Sequence, residues 1–199
     1  MTSALKLDLD VICMQEVNEH SLICLRGYNI ITNIDERERG TAIAVREEID
    51  VTHIEKSLDG RLISLCLNAD TRLTNIYAPS GTQQKYEREQ FFQHTLAYYL
   101  RFPYKYSIIA GDFNCVINKK DALGSSNFSN ALRNAIYHIQ HIDTWYIVKK
   151  DVEFTYITSN TASRIDRIYV SKNLKESVPI EMDETWKGHE HMFIKLYNI

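Results

Sequence analysis

The segment Tyr106-Ser-Ile-Ile-Ala-Gly-Asp-Phe-Asn114 most constrains the fold, because an apolar run ends abruptly in Gly, Asp and Asn. Such a run is typical of a buried β-strand that emerges at the edge of a sheet. Asp112 and Asn114 lie two residues apart, so extended backbone would project both side chains from one face. A carboxylate and an amide aimed together can hold a water, a metal or a phosphate oxygen. Taken alone, however, the segment favours a turn, since Gly, Asp and Asn are common turn residues.

Length and composition indicate one ordinary globular domain spanning residues 1–199. No apolar stretch is long enough to cross a membrane. The four cysteines show no zinc-type pairing, and we expect them to be reduced, buried thiols of an intracellular protein. The formal net charge of -3 argues against broad nonspecific nucleic-acid binding but is compatible with a local basic patch.

Apolar patterning predicts an α/β protein with many strands and few helices. Helices are predicted from Lys85 to Leu100 and from Asn130 to Ile142, each with one apolar face. In Leu62–Leu67, apolar residues alternate with polar or smaller ones, which predicts a strand with one wet face. The arrangement indicates two stacked sheets covered by helices. The predicted strands are Leu9–Met14, Tyr28–Asn33, Thr41–Val45, Leu62–Leu67, Leu73–Tyr77, Tyr106–Ala110, Phe154–Ile157, Arg164–Val170 and His191–Leu196.

Two further strand ends carry chemically useful side chains. Glu16 ends the apolar run that begins at Val11, and Tyr77 ends a strand just before a Pro-directed turn. Mg²⁺ needs only one or two protein carboxylates, so Glu16 is a candidate ligand; a solvated strand-end glutamate is the alternative. The Tyr77 hydroxyl could donate to a phosphate oxygen, whereas a packing role is the alternative for its ring.

A carboxylate also lies within the β-like run Ser163-Arg-Ile-Asp-Arg-Ile-Tyr-Val170. Asp166 is costly to bury unless it is paired. It could form a salt bridge with a neighbouring arginine, or it could orient a histidine such as His191. His189 and His191 would share a strand face, but the spacing suggests no third ligand for a two-histidine metal site.

The order of these motifs is more specific than any one of them. Gln15-Glu16, Tyr77-Ala-Pro, Gly111-Asp-Phe-Asn114, Ser163-Arg-Ile-Asp166 and a final His before a strand follow one another. In this order they resemble the endonuclease/exonuclease/phosphatase superfamily and, more narrowly, the apurinic-endonuclease-like domain of non-LTR (LINE-type) retrotransposons. The resemblance runs from about Leu9 to the C-terminus. Further matching segments are Gly40-Thr-Ala-Ile-Ala, Asp59-Gly-Arg-Leu-Ile, Glu87-Arg-Glu-Gln-Phe-Phe and Gly111-Asp-Phe-Asn-Cys-Val.

The resemblance implies a DNase I-like, four-layer α/β/β/α sandwich in which two mixed sheets lie between helices. It implies a site at one edge of the sheets, where Glu16 binds Mg²⁺ or Mn²⁺ and Tyr77 contacts the scissile phosphate. The implied substrate is double-stranded DNA, which a monomer would nick for retrotransposon insertion, and the implied location is the nucleus. A reverse transcriptase domain could follow in the native polypeptide.

By the same resemblance, Asp112 and Asn114 position the attacking water, and Asp166 orients His191 against the phosphate. The residue types suit this assignment, because phosphodiester hydrolysis needs an aligned nucleophile and neutralised charge. An acceptor such as Asp112 activates water, and an amide such as Asn114 orients it.

The segment Tyr156–Ser163 joins two predicted strands through small polar residues and is typical of a hairpin tip. In similar endonucleases this hairpin reaches into the DNA minor groove near the nick. We therefore expect the segment 158–162 to influence target choice through groove shape. The candidate substrate-binding residues are Thr155, Thr158, Ser159, Asn160 and Arg164.

Two departures from the family pattern bear on activity. Family members begin with a strand carrying an Asn, whereas Met1–Leu7 is typical of the helix that follows it, so we expect an N-terminally shortened domain. The family's closing Ser-Asp-His is His189-Glu190-His191 here, which makes Glu190 the candidate for the second acidic position of the metal network. The alternatives are a weakened but active nickase, an inactive transposon remnant that retains the fold, a fragment of a longer gene model, a DNA-binding relic and a phosphoesterase for another substrate.

Overall fold

The computed structural model describes residues 9–18, 25–36, 40–148, 154–177, 180–181 and 195–196. The described strands are numbered in chain order. They are β1 Val11–Val17, β2 Tyr28–Ile34, β3 Gly40–Arg46, β4 Val51–Lys56, β5 Leu62–Leu67, β6 Thr71–Tyr77, β7 Tyr106–Asp112, β8 Ala122–Leu123, β9 His141–Asp143, β10 Tyr156–Ile157, β11 Ala162–Ser163, β12 Asp166–Ser171, β13 Ile180–Glu181 and β14 Lys195–Leu196.

Two large sheets organise these strands. The larger sheet has the order β4-β5-β6-β7-β12-β9 and is mixed, because β6 and β7 pair in parallel while the other neighbours are antiparallel. The second sheet has the order β1-β3-β2 and is antiparallel throughout its described strands. Short strands β10, β11 and β8 form a separate three-stranded sheet. The predicted α/β class with two stacked sheets is confirmed.

The central strands are buried on both faces. In β7, Ile108 and Ala110 pack toward the smaller sheet, whereas Ile109 packs toward the helices. Strand β5 is buried along its whole length, so the predicted wet face for Leu62–Leu67 is wrong. Ser64 and Cys66 occupy the face expected to be wet, and the Ser64 hydroxyl lies 3.1 Å from that of Thr74 on β6. A strand covered on both sides reads as a nearly continuous apolar run.

The outer face of the larger sheet is covered by two helical segments. The first begins at Lys85 and runs through α1 Lys85–Gln90, a π-helical turn Phe91–Leu96 and α2 Ala97–Tyr99. The second is α3 Asn130–His138, whose first turn is capped by the Ser129 hydroxyl. It is shorter than predicted, because the chain turns at Gln140 with a φ of +53° and Ile142 belongs to β9. Shorter helices follow at α4 Trp145–Val148 and α5 Lys172–Ser177.

Strand β4 has no counterpart among the predicted strands. It lies at the edge of the larger sheet, and a bulge near His53 interrupts its pairing with β5. Its side chains are half-buried or exposed, so the apolar pattern that marks an interior strand is missing. The predicted helix Met1–Leu7 lies outside the described residues. Among the helices in the described part of the chain, none has the length and apolar character needed to cross a membrane.

A buried quartet of charges fixes strand β12 against its surroundings. Arg164 and Arg167 each bind both Asp121 and Asp143, with nitrogen–oxygen distances between 2.6 and 3.2 Å. Burial alone would raise the pKa of Asp121, but Arg167, the Tyr146 hydroxyl and Arg164 hold that pKa below its ordinary value. The two positive and two negative charges therefore compensate one another inside the protein.

We predict that Asp121→Asn lowers the free energy of unfolding by about 3–5 kcal/mol, because it leaves buried guanidinium charge without compensation. Asp70→Asn is the matched control, since Asp70 pairs at 3.3 Å with Lys105, whose side chain is 63% exposed. The control should cost about 0–1 kcal/mol. Urea unfolding followed by circular dichroism measures both, and equal losses would contradict the buried quartet as a stabilising element.

Candidate active site

Three of the predicted site residues form a row across neighbouring strands of the larger sheet. Tyr77 is the register partner of Asp112, and Asp112 is the register partner of Asp166. Strand parity places all three on the face toward the smaller sheet, because Ile108 and Ile168 of the same parity pack there. The sheet itself therefore brings these side chains together at one edge.

Gly111 allows this row to form. Its φ is +136°, and a Cβ at this position would lie 2.0 Å from the carbonyl oxygen of Ile76 on β6. Any other residue would force β6 and β7 apart just before Tyr77 and Asp112. The glycine of the Gly-Asp-Phe-Asn motif is thus required by close backbone approach.

Glu16 reaches the row from the smaller sheet through a β-bulge. Gln15 pairs with Thr41 and Val17 pairs with Gly40, so Glu16 is the extra residue, with a φ of +55°. Bulges re-aim side chains, and here the bulge turns Glu16 toward the larger sheet. The Tyr77 hydroxyl donates to Glu16 Oε1 at 2.8 Å. This contact joins the ends of both sheets.

Asn75 provides a second link between the sheets and has no role in the sequence-based predictions. Its side chain is fully buried, and Nδ2 donates to the carbonyl oxygens of Met14 and Ala42, each at 3.0 Å. Its Oδ1 accepts from Gln15 Nε2 at 2.6 Å. One amide therefore fixes the strand that carries Glu16. The available signal was an amide between Thr74 and Ile76 in a predicted interior strand.

The sequence predicted that Asn114 and Asp112 project from the same face of an extended strand, but Asn114 lies beyond the end of that strand. It follows β7 in a turn with a φ of +50°, and its backbone N–H donates to Asp112 Oδ1 at 2.7 Å. Its Nδ2 donates to the carbonyl oxygen of Ala78 at 2.9 Å. The strand and the turn considered for this segment are therefore both present. Asp112 ends the strand, and Asn114 begins a turn that still lines the cleft. Positive φ at Glu16 and Asn114 is the kind of backbone strain that collects at functional sites.

Arg88 is another residue that sequence reasoning missed. It is 1% exposed, and its Nη1 donates to the carbonyl oxygens of Pro79 and Gly81 at 2.8 and 3.0 Å. The loop that follows Tyr77 is consequently held from one side by Arg88 and from the other by Asn114. This loop forms one wall of the cleft.

Around these residues lies an open cleft of about 830 Å³ between the two sheets. Its lining includes Glu16, Ser80, Asp112 and Asp166, with Tyr156 of the hairpin on the opposite wall. Cys115 also lines the cleft, but burial raises the pKa of its thiol to about 12, so it is not a nucleophile at neutral pH.

Negative charge accumulates in the cleft. Burial, followed by the charges of Asp166 and Glu16, raises the pKa of Asp112 to about 8, against the opposing effects of the Asn114 N–H and Arg88. Burial and the hydrogen bond to Glu16 raise the pKa of Tyr77 to about 12, so its hydroxyl remains a donor at neutral pH. The cleft thus presents carboxyl acceptor groups, and the neighbouring Tyr77 hydroxyl donates to one of them, Glu16.

The predicted hairpin is confirmed, since Tyr156 pairs with Ser163 and Ile157 pairs with Ala162. Thr158, Ser159 and Asn160 form its exposed tip. The turn is closed by Thr158 N–H donating to the Thr161 carbonyl oxygen at 2.8 Å.

Two of the predicted substrate-binding residues have structural contacts instead. The Thr155 hydroxyl accepts from the N–H groups of Ile165 and Asp166, each at 3.1 Å, so it supports the start of β12. Arg164 is 1% exposed and belongs to the buried charge quartet, so its prediction as a substrate-binding residue is wrong. A buried, fully paired guanidinium has no surface with which to bind substrate.

Comparison with known proteins agrees with this arrangement. Residues 3–184 match the Endonuclease/Exonuclease/phosphatase family. The chain belongs to this family.

The family member is also similar to an individual curated protein. It is 33% identical over 129 residues to the Xenopus laevis "Transposon TX1 uncharacterized 149 kDa protein", a match that covers 59% of this chain. The match covers only 10% of that relative's length, so the chain spans a small part of it.

Solved structures share the fold at lower sequence identity. The Leishmania major AP endonuclease LMAP is 17% identical with a TM-score of 0.75, covering 98% of this chain and 81% of that one. The Neisseria 3' phosphatase NExo, solved with a product DNA hairpin, is 17% identical with a TM-score of 0.74, covering 98% and 92%. The endonuclease domain of the telomere-specific non-LTR retrotransposon TRAS1 is 14% identical with a TM-score of 0.67, covering 99% and 90%. At these identities the likeness concerns the fold.

The family is generally dependent on divalent metal, and the residues of this cleft fit such an ion. Within the described residues, no three His, Cys, Asp or Glu side chains lie close enough to hold a metal by themselves. Mg²⁺ requires only one or two carboxylates, since water and substrate phosphate complete its coordination. Glu16 is exposed to the cleft, and the carboxyl groups of Asp112 and Asp166 that line the same cleft are ligand types that suit such a cation. Glu190 and His191 lie outside the described residues, so their roles stay predictions.

We predict that Asn75→Ala lowers the free energy of unfolding by about 2–4 kcal/mol, because two buried carbonyl oxygens and the Gln15 amide lose their hydrogen-bond partner. Thr74→Val is the matched control, since Thr74 is equally buried but faces away from the smaller sheet. It loses one hydroxyl contact and should cost about 1 kcal/mol. Chemical unfolding of both variants tests the link, and a smaller loss for Asn75→Ala would contradict it.

Proposed function

We propose that this domain is a divalent-metal-dependent endonuclease that nicks double-stranded DNA by phosphodiester hydrolysis, in the service of retrotransposon insertion. The observation that carries the proposal is the convergence of Glu16, Asp112 and Asp166 in one cleft beside an exposed hairpin, with the Tyr77 hydroxyl donating to Glu16. Similarity to a transposon protein favours DNA over other phosphate esters. A nuclear location and a reverse transcriptase domain in the same polypeptide are part of the proposal.

The chain's own residues divide the work of hydrolysis. Asp112 ends β7 in the cleft, where its carboxylate, when ionised, accepts the proton of the attacking water. Asn114 fixes the orientation of that carboxylate through its N–H bond to Oδ1. The Tyr77 hydroxyl donates to Glu16 in this structure and would donate instead to a phosphate oxygen when substrate is bound beside Glu16. Asp166 adds negative charge beside Asp112, and we propose that it orients His191 toward the phosphate.

Glu16 is the candidate to hold the cation, whose chemistry is to neutralise phosphate charge and stabilise the leaving oxyanion. The contact between Glu16 and Tyr77 places the proposed cation ligand beside the hydroxyl that is proposed to donate a hydrogen bond to the phosphate. Because Asn75 fixes the Gln15-Glu16 strand, the position of the ligand is set by the packing of the two sheets.

We predict that the protein nicks supercoiled plasmid DNA with Mg²⁺ and that Asp112→Ala lowers the rate by at least about 100-fold, because the base that activates water is lost. Asp50→Ala is the matched control, since Asp50 is exposed and directly precedes β4, at the end of the larger sheet opposite to Asp112. It should retain the wild-type rate. Conversion of supercoiled to open-circular plasmid is measured on agarose gels.

The outcomes of this assay separate the alternatives. Nicking that is absent, or that survives Asp112→Ala, contradicts the proposed enzyme. Salt-dependent DNA binding without nicking would identify a DNA-binding relic. Selective hydrolysis of a small phosphate ester without DNA nicking would identify a phosphoesterase of the same family.

We further predict that exchanging Ser159-Asn160 at the hairpin tip for Asn-Gly redistributes the nick positions without abolishing nicking. Thr158 and Thr161, which close the turn, are retained in this variant. The same exchange at the exposed pair Glu47-Glu48 is the control and should leave the profile unchanged. Sequencing of nicked ends gives both profiles, and an unaltered profile in the tip variant would rule out a role in target choice.

A further inference from the structure

The turn Asp59-Gly60-Arg61 contacts Tyr77 and has no part in the proposed mechanism. It leads into β5, whose first residue Leu62 pairs with Ile76 on β6, one residue before Tyr77. Asp59 Oδ1 accepts from the Ser57 hydroxyl at 2.6 Å and from the Arg61 N–H at 3.3 Å. The turn therefore has its own internal hydrogen bonds and presents Arg61 in a defined position.

This turn contacts the smaller sheet through a buried hydrogen bond. The Thr41 hydroxyl donates to the Gly60 carbonyl oxygen at 3.1 Å. Thr41 is the register partner of Gln15, which directly precedes Glu16. The turn is thereby attached to the strand pair that carries the proposed cation ligand.

The same turn holds Tyr77 in three ways. The Tyr77 N–H donates to the Arg61 carbonyl oxygen at 2.8 Å, and Arg61 Nη1 donates to the Tyr77 carbonyl oxygen at 3.2 Å. The Arg61 guanidinium carbon lies over the Tyr77 ring, 5.3 Å from its centroid. Backbone and ring are both held, so the direction of the hydroxyl toward Glu16 is restricted.

We propose that Arg61 is a positioning residue that fixes the Tyr77 ring so that its hydroxyl points at Glu16 and the substrate phosphate. The inference rests on the proposed function, in which the Tyr77 hydroxyl donates a hydrogen bond to the substrate phosphate. Arg61 acts through Tyr77 and does not itself touch the reacting atoms. Its loss therefore lowers turnover more than substrate affinity.

The chain offers a matched arginine–tyrosine pair for comparison. Arg46 lies over the Tyr28 ring at 5.4 Å and donates from Nε to the Leu9 carbonyl oxygen at 3.1 Å. The Arg46 and Arg61 side chains are 23% and 26% exposed, and each lies near an aspartate, at 3.6 and 3.9 Å. Arg46 stands at the end of β3 opposite Gly40, away from the cleft. A purely structural contribution should be similar at the two positions.

The experiment is a double-mutant cycle measured by plasmid nicking. We expect Arg61→Met to lower kcat about tenfold, with KM changed by less than about twofold. In the Tyr77→Phe background, which lacks the hydroxyl, the same substitution should change kcat by less than about twofold. Arg61→Lys should recover part of the rate, because a cation remains over the ring. Arg46→Met should leave kcat unchanged in both backgrounds.

A second readout does not depend on activity. In protein with ¹³C-labelled tyrosine rings, the Tyr77 signal is assigned by its loss in Tyr77→Phe. Arg61→Met should shift or broaden that signal, whereas Arg46→Met should affect the Tyr28 signal instead. Thermal unfolding of each variant confirms that the comparison is made on folded protein.

An unmoved Tyr77 signal in Arg61→Met overturns the inference, as does an equal loss of kcat with and without the Tyr77 hydroxyl. A wild-type protein that nicks no DNA, yet whose Tyr77 signal responds to Arg61→Met alone, overturns the proposed function and supports the positioning contact. The two failures are thus distinguishable.

Discussion

The arrangement of the cleft depends on one buried amide. Asn75 projects from the larger sheet, and its hydrogen bonds to Met14, Ala42 and Gln15 fix the smaller sheet in register with it. Apolar packing between the sheets is not directional, so it cannot by itself set their relative position to within a hydrogen-bond length. A polar group with no water nearby can, because a displaced partner is left unsatisfied. The distance between Glu16 and Tyr77 follows from that requirement.

Around this link, backbone geometry places each functional group. Register across three strands aligns Tyr77, Asp112 and Asp166, while a bulge turns Glu16 inward. On the face of β12 away from the cleft, Arg167 belongs to the buried quartet that it forms with Arg164, Asp121 and Asp143. Asp166 faces the cleft from the same strand, beside Asp112 of β7.

The sequence was sufficient to predict the features that depend on local pattern and motif order. Those features are the interior strands, the family and most residues at the strand ends. It failed where tertiary burial decides the outcome. Arginine commonly binds phosphate, which is why Arg164 was predicted to bind substrate. Its actual partners, Asp121 and Asp143, lie 43 and 21 positions away along the chain, so the sequence does not show the pairing. Asn75 and Arg88 were missed for the same reason, since their carbonyl partners carry no sequence signature. Strand β4 was missed because an exposed edge lacks apolar alternation.

The hairpin has a consequence for how such a domain can diverge. Its short strands are joined to the rest by backbone pairing with β8 and by the Thr155 hydroxyl, whereas the tip at Ser159 and Asn160 is exposed. Mutations at the tip therefore carry little folding cost and leave the row formed by Tyr77, Asp112 and Asp166 untouched. Under the proposed function, related mobile elements could acquire new chromosomal target sites through mutations at a few surface positions of the hairpin tip. The chemistry would be inherited unchanged.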